Sequence, residues 1–225
     1  VVVATVRALK NHGGVAKDAL NDENLQALEA GLPNLLQHVE NITNVYNLPC
    51  VVAINRFPTD TEAELKLVED KCRELGVNVA LSEVWAKGGE GGLALADEVV
   101  RLCENGDEAG SADTFQFSYG DDLSLREKIE AVAKNVYRAD GVDFEAKAAK
   151  ELAKLEKLGF GGMPVCMAKT QYSFSDNQTK LGAPRGFRIT VRDVKVSAGA
   201  GFVVALTGNI MTMPGLGKSP AAFKI

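Results

Sequence analysis

The strongest constraint on the fold is the alternation of short apolar runs with segments of helical periodicity. The apolar runs, rich in β-branched residues, lie at residues 1–6, 50–54 and 77–81 and have the length of buried strands. Between the first two, apolar side chains recur every three or four residues over residues 32–46, as they do along one face of a helix. A repeated strand, loop and helix order is typical of a parallel sheet with helices on its faces. The sequence therefore predicts an α/β fold with a mostly parallel sheet and flanking helices.

Local signals predict where the next helices begin and end. Thr59 and Glu62 have the spacing of a capping box, which predicts a helix that continues to about Leu75. The glycine-rich turn Gly88–Gly92 precedes a helix predicted over residues 93–103. The next stretch, 104–114, is polar, small and glycine-containing, so we expect a linker or surface loop there with a domain boundary nearby.

The second half of the chain combines helices with later strands. Helices are predicted over residues 124–137 and, opened by Asp143, over residues 144–158. Apolar and polar side chains then alternate, but the parity shifts beside Asp193, which predicts a β-bulge. A further apolar strand is predicted over residues 202–206.

Composition excludes several classes of protein. The 225 residues are 46% apolar and 24% charged, which is ordinary for a globular protein and unlike a disordered, collagenous or membrane chain. A net charge of −5 argues against a nucleic-acid partner, and without an apolar stretch of about 18 residues no membrane partner is predicted. The four cysteines show neither a CxxC pair nor zinc spacing, so we expect reduced thiols, no metal site and a cytoplasmic location.

The chain opens inside a predicted strand and without a methionine. A buried parallel strand has no reason to stand at a natural terminus unless something precedes it, so we expect this chain to be the back part of a longer polypeptide. The strand at residues 1–6 is then predicted to pair in parallel with another strand of this chain. Its other edge is predicted to stay open and to attract a neighbour.

Two glycine segments invite a phosphate-binding interpretation. The turn Gly88–Gly92 follows a strand and precedes a helix, but it lacks the lysine and hydroxyl residue of a Walker loop. Gly217-Lys218-Ser219 matches the end of that motif, yet Thr212 stands where its first glycine belongs and no helix can follow. His12 lies after a strand but near no nucleophile pattern, so we interpret it as structural. No catalytic residue is predicted.

Two large aromatic residues are the most informative candidates for a site. Phe57 and Trp85 each lie in a loop just after a predicted parallel strand, where open α/β sheets bind their ligands. One interpretation is a sandwich around a flat ligand, with Leu81 and Pro58 as its apolar wall. The other is that each ring plugs its own loop onto the sheet. Residue type alone leaves the two open.

Long stretches of the sequence closely resemble the formate–tetrahydrofolate ligase (formyltetrahydrofolate synthetase) family. The resemblance covers essentially all 225 residues and is highly specific. It is carried by residues 3–10 (VATVRALK), 12–14 (HGG), 55–62 (NRFPTDTE), 85–92 (WAKGGEGG), 181–193 (LGAPRGFRITVRD) and 207–218 (TGNIMTMPGLGK).

The resemblance implies a function and a domain arrangement. The family joins formate to tetrahydrofolate at the expense of ATP, through formyl phosphate, to give 10-formyltetrahydrofolate. It implies that Phe57 and Trp85 sandwich the pterin ring, with Leu81 and Pro58 beside it. Residues 1–48 would end an N-terminal, P-loop-type nucleotide-binding domain, 49–106 would form a folate-loop domain and 107–225 a C-terminal α/β domain.

The resemblance also implies what this chain lacks. The family's phosphate loop and formate-binding arginine lie in an N-terminal half, so ATP and Mg²⁺ are expected to be held mainly there. The isolated chain is therefore predicted to be inactive. A homo-oligomer is expected, a tetramer in the bacterial family. The alternative is a non-catalytic module that binds pterin or acts in assembly.

Overall fold

The computed structural model describes residues 1–104, 115–208 and 210, and these residues form two β-sheets with flanking helices. Sheet A is parallel throughout, and sheet B is mixed. The prediction of an α/β fold with a mostly parallel sheet is confirmed.

The elements alternate along most of the chain. The strands are β1 (Val2–Ala4), β2 (Val51–Asn55), β3 (Asn78–Ser82), β4 (Gly141–Phe144), β5 (Val165–Ala168), β6 (Arg188–Ser197) and β7 (Phe202–Thr207). The α-helices are α1 (Val6–His12), α2 (Leu25–Glu40), α3 (Glu62–Glu74), α4 (Val84–Lys87), α5 (Leu93–Glu104), α6 (Leu125–Asn135) and α7 (Ala146–Lys157). Short 3₁₀ segments occupy Lys17–Ala19 and Gly88–Gly92, and a π-helical segment, Asn41–Val45, follows α2.

Sheet A has the strand order β1-β2-β3, and β2 is its centre. The four residues from Val51 to Ile54 are all buried, which is expected of a parallel strand covered on both faces. One apolar core unites this strand with side chains of α1, α2 and α3. The proposed segments 1–48 and 49–106 both contribute strands to sheet A, whereas sheet B lies wholly within 107–225.

Sheet B has the strand order β4-β6-β7-β5. Strands β6 and β7 form an antiparallel hairpin, while β4 and β5 add to it in parallel on either side. The register between the hairpin strands shifts between Val191 and Asp193, so the predicted bulge is confirmed. A second core packs α6 and α7 against this sheet.

The first strand is shorter than predicted. It runs only over Val2–Ala4, because the Thr5 hydroxyl accepts a hydrogen bond from the Ala8 N–H at 3.1 Å and starts α1. It pairs in parallel with β2 and stands at the sheet edge, as predicted. It is not a buried strand, however, because Val3 is 67% exposed.

Two predicted helix starts, those of α2 and α7, are wrong. The helix predicted over 32–46 begins at Leu25, where the Asn24 side chain accepts from the Ala27 N–H. The predicted helix start at Asp143 is also wrong, because Asp143 lies in β4 and α7 begins at Ala146. Except for Glu104, which ends α5, the predicted linker 104–114 lies outside the described residues.

The capping box of α3 is two residues later than predicted. It joins Thr61 and Glu64, with the Thr61 hydroxyl accepting from the Glu64 N–H at 3.2 Å. The predicted pair, Thr59 and Glu62, and the observed pair, Thr61 and Glu64, both have the spacing of the motif. Glu64 is selected because its side chain is buried against Lys10, whereas Glu62 is exposed.

We call the part of the chain that contains sheet A the first unit and the part that contains sheet B the second unit. The Lys10–Glu64 ion pair is fully buried in the first unit. The two side chains are 1% and 0% exposed, and the Lys10 Nζ lies 2.8 Å from Glu64 Oε1. Lys10 Nζ also donates to the Asp22 carbonyl at 2.9 Å, and Glu64 accepts from the backbone N–H groups of Asn24 and Thr61. Burial alone would raise the pKa of Glu64, but the hydrogen bonds from these three donors hold that pKa below its ordinary value.

Helix α2 and the π-helical segment that follows it join the two units through polar side chains. The side-chain amide of Asn34 donates to the Gly182 carbonyl at 2.9 Å. Those of Gln37 and Asn41 both donate to the Val136 carbonyl, at 3.3 Å and 3.0 Å. These bonds fix the second unit against the helix that packs on sheet A.

His12 takes part in the same junction. Its Nδ1 accepts a hydrogen bond from the Gly182 N–H at 3.0 Å, and burial lowers its pKa. This contact supports the interpretation of His12 as a structural residue.

The buried ion pair predicts a large stability effect at Lys10. We expect Lys10→Met to lower the free energy of unfolding by about 3–5 kcal/mol, because the Glu64 carboxylate is left buried without its cation. Urea unfolding monitored by circular dichroism measures the loss. Adding Glu64→Gln to Lys10→Met should recover part of it, since the neutral amide still has an oxygen for the backbone donors.

The control is Lys66→Met, which breaks an exposed pair with Asp70 on α3. It should change stability by no more than about 0.5 kcal/mol. Equal losses for the Lys10 and Lys66 variants would contradict a structural role of the buried pair.

Candidate functional site

The candidate site lies at the carboxyl edge of sheet A, where β2 and β3 end side by side. Asn55 and Ser82, the last residues of these strands, are directly opposite in the parallel register. The loops that follow therefore leave the same edge of the sheet. This edge is where open α/β sheets bind ligands.

A tight turn fixes the backbone of Phe57. The Asp60 N–H donates to the Phe57 carbonyl at 3.0 Å, and the Phe57 N–H donates to Asp60 Oδ2 at 2.8 Å. Pro58 occupies the second position of this four-residue turn, where its fixed φ is favourable. The turn holds Phe57 half-buried and leaves Pro58 exposed.

Asp60 is a residue that the sequence analysis missed. It is only 5% exposed, and its Oδ1 has no hydrogen-bond partner in the described part of the chain. Burial raises its pKa, the hydrogen bond from the Phe57 N–H opposes that rise, and the Glu64 carboxylate adds to it. A Pro followed two residues later by Asp is the turn signal that could have identified it.

The loop after β3 presents Trp85 to solvent. Trp85 lies on the short helix α4 and is 80% exposed. The loop closes behind it, because the Glu83 N–H donates to the Gly91 carbonyl at 2.9 Å. A Cβ at Gly91 would lie 2.4 Å from the Glu83 backbone, so only glycine permits this approach.

Arg56 links the two loops. Its N–H donates to the Ser82 carbonyl at 3.1 Å, which extends the β2–β3 pairing by one residue. Its guanidinium lies 2.6 Å from Glu62 Oε1 and 3.5 Å from Glu83 Oε1. The pKa of Glu83 is lowered mainly by the hydrogen bond from Lys87 and further by the charge of Arg56. The charges of Arg56 and Glu83 are thus already paired within the chain.

The remaining candidates lie at the same edge. Leu81 is half-buried on β3 and packs against the core of sheet A. Phe57 contacts the Arg7 guanidinium, which lies 5.7 Å from its ring centroid. No ring contact joins Phe57 to Trp85 among the described residues. The structure therefore places the four predicted residues on neighbouring segments without packing the two rings on each other.

The residues described here do not fit a triphosphate or Mg²⁺ site. Gly88–Gly92 forms a 3₁₀ segment, and the Gly91 carbonyl is used within the loop. Residues 1–104, 115–208 and 210 contain no group of three or more His, Cys, Asp or Glu side chains that could hold a metal ion. The Gly217-Lys218-Ser219 candidate lies outside the described residues.

The raised pKa of Asp60 predicts a pH-dependent effect of Asp60→Asn. Because the folded state binds the Asp60 proton more tightly than the unfolded state does, the stabilisation that this group contributes is present at low pH. It is lost as pH rises through the raised pKa. The Asn variant should therefore gain stability relative to the unaltered chain between pH 4 and pH 7 in urea unfolding experiments.

Asp193→Asn is the control with the opposite sign. The hydrogen bond from Lys147, above all, lowers the pKa of Asp193, so its contribution is present at pH 7 and lost as the solution is acidified. The Asn variant at 193 should lose stability relative to the unaltered chain as pH rises. The same trend at both positions would contradict the burial of Asp60 as the cause.

One comparison with known proteins identifies the family of this chain. A family model described as formate–tetrahydrofolate ligase matches residues 1–225. The match includes both loops of the candidate site. The family is ATP-dependent, and its substrates are tetrahydrofolate, formate and ATP. Among the described residues, no helix is both long and apolar enough to cross a membrane. Because the family model covers the entire chain, this protein belongs to the formate–tetrahydrofolate ligase family.

Proposed function

We propose that this chain provides the pterin-binding site of a ligase that joins formate to tetrahydrofolate and forms 10-formyltetrahydrofolate through formyl phosphate. The observation that carries the proposal is Trp85, a large aromatic side chain that is 80% exposed at the carboxyl edge of sheet A. The neighbouring loop holds Phe57 by its backbone. These two residues are the proposed stacking pair.

The exposure of Trp85 favours ligand stacking over a structural role. A side chain that plugged its loop onto the sheet would be buried, whereas Trp85 leaves most of its ring in water. Neither loop depends on its aromatic ring for closure, since backbone groups, Asp60 and Gly91 close them. The Trp85 ring is thus available for a partner, and the half-buried Phe57 ring is available in part.

A pterin suits this edge because it is flat, polar at its rim and able to stack on aromatic side chains. Stacking of a heteroaromatic base on an aromatic side chain contributes about 1–3 kcal/mol. Leu81 and Pro58 would supply the apolar boundary of the ring, one from β3 and one from the turn. The chain's own residues therefore bind and orient the pterin.

The phosphate chemistry is proposed to reside elsewhere in the enzyme. Forming and using formyl phosphate requires oriented donors on the transferred phosphoryl group, and the turn Gly88–Gly92 at this edge lacks the lysine and hydroxyl residue of a phosphate loop. We therefore propose that ATP, Mg²⁺ and formate are bound mainly by an N-terminal part of the enzyme. A cytoplasmic homo-oligomer is part of the same proposal. The alternative, a pterin-binding or assembly module without catalysis, is favoured by the same lack of a phosphate site.

The proposed function predicts that the 225-residue chain alone does not form 10-formyltetrahydrofolate from formate, ATP and tetrahydrofolate. Acid converts any 10-formyltetrahydrofolate to an absorbing derivative, whose absorbance measures product formation. That absorbance should stay at the level of a blank without protein, because stacking supplies no donors for the phosphoryl group. Turnover by protein freed of host enzyme would contradict the proposed division of labour.

A further prediction of the proposed function concerns Trp85, which is the chain's single tryptophan. Tetrahydrofolate should change its fluorescence on binding, and Trp85→Ala should weaken binding measured by calorimetry by about 1–3 kcal/mol. Unfolding stability should be nearly unchanged, since the ring is exposed. Phe117→Ala is the matched control, because Phe117 is 79% exposed but lies outside the site.

A structural role for Trp85 gives the opposite pattern. Trp85→Ala would then lower the melting temperature markedly and leave the tetrahydrofolate affinity of the folded fraction unchanged. That result would overturn the stacking proposal.

A further inference from the structure

Arg7 is a cationic residue at the candidate site that pairs with no carboxylate in the described part of the chain. Its side chain is half-buried, and its guanidinium carbon lies 5.7 Å from the Phe57 ring centroid. Within the described part of the chain it makes no salt bridge and no side-chain hydrogen bond. Arg56, the other arginine at this edge, is paired with Glu62 and Glu83.

The topology brings Arg7 to the same edge as the two aromatic loops. Strand β1 pairs in parallel with β2, with Ala4 opposite Ile54. Arg7 follows Ala4 by three residues, and Phe57 follows Ile54 by three. Three adjacent strands thus deliver a cation, a half-buried aromatic ring and an exposed aromatic ring to one edge of sheet A.

The chemistry of the guanidinium indicates what it can bind. It is planar, stays charged and carries five N–H donors in its plane. Contact with an aromatic ring uses the attraction of the cation for the π-system and leaves in-plane donors available. Carboxylate and phosphoryl groups match that fork with two parallel, charge-assisted hydrogen bonds.

We propose that Arg7 is a substrate-binding residue that holds an oxyanion of the substrate beside Phe57. This inference rests on the proposed function, because it requires a ligand stacked at this edge. Tetrahydrofolate carries such groups in its glutamyl carboxylates, and the acylated phosphate intermediate carries a phosphoryl group. Both present the same chemistry to the guanidinium. Nothing in the family match assigns this role to Arg7.

The experiment compares binding of two pterins and inorganic phosphate to the unaltered chain and to Arg7→Gln. The pterins are tetrahydrofolate and tetrahydropteroate, which has the same ring system but no glutamate. Calorimetry measures affinity, and Trp85 fluorescence reports occupancy of the stacking pair. Arg126→Gln is the control, because Arg126 also lies over an aromatic ring, 4.1 Å from the Phe144 centroid, without a salt bridge in the described residues.

Two results support the proposal and distinguish the source of the oxyanion. If Arg7 holds the glutamyl tail, Arg7→Gln should weaken tetrahydrofolate about tenfold and leave tetrahydropteroate unchanged. If it holds the phosphoryl group, the variant should lose phosphate binding while both pterins keep their affinities. In either case Arg7→Lys should recover part of the lost affinity, and Arg126→Gln should behave as the unaltered chain.

Other results overturn the inference. Unchanged binding of all three ligands by Arg7→Gln excludes the role. Equal weakening of both pterins together with a lower melting temperature shows that Arg7 merely supports the Phe57 ring. If the unaltered chain binds neither pterin, the proposed function fails and this inference fails with it. If the unaltered chain binds tetrahydropteroate, the proposed function stands, whatever the result for Arg7→Gln.

Discussion

The fold of the first unit depends on one carboxylate, that of Glu64. Its two oxygens accept hydrogen bonds from Lys10 on α1 and from backbone N–H groups of Asn24 and Thr61. These donors belong to three separate segments, so a single side chain links α1, the start of α2 and the start of α3. Because α3 begins directly after the Phe57 turn, the same carboxylate also limits where that turn can lie. A buried ion pair is weak evidence for net stabilisation, and here its clearest consequence is geometric.

The candidate site combines closed loops with rings that play no part in closing them. The first loop is closed by backbone and carboxylate groups of Phe57 and Asp60, and the second by the close backbone approach of Glu83 and Gly91. Arg56 then ties one loop to the other. A ligand can therefore use the aromatic faces without competing with the contacts that shape the loops. Such preorganisation lowers the entropy cost of binding.

The sequence predicted those features that depend on short-range pattern. Sheet A and the bulge beside Asp193 follow from apolar runs and alternation, which local residues display in full. The predicted position of the capping box was wrong because Thr59 and Thr61 both fit the motif. Only the contact of Glu64 with Lys10, 54 residues away, distinguishes the two threonines. Strand β4 was missed because four residues show too little alternation and its partner β6 lies far along the chain. At the candidate site, Phe57 and Trp85 were predicted from their positions after a strand, whereas Asp60 and Arg7 became candidates only through tertiary contacts.

The junction between the two units has a consequence for how the protein can diverge. The amide side chains of Asn34, Gln37 and Asn41 on the α2 side bond to main-chain carbonyls of Val136 and Gly182. Main-chain groups are the same in every residue, so this part of the junction recognises the path of the backbone instead of its side chains. Position 136 can therefore change identity over evolutionary time without a matching change on α2. Gly182 is more restricted, since its φ of +70° favours glycine. Hydrogen bonding to the α2 side therefore does not restrict the residue type at position 136, whereas the backbone conformation favours glycine at position 182.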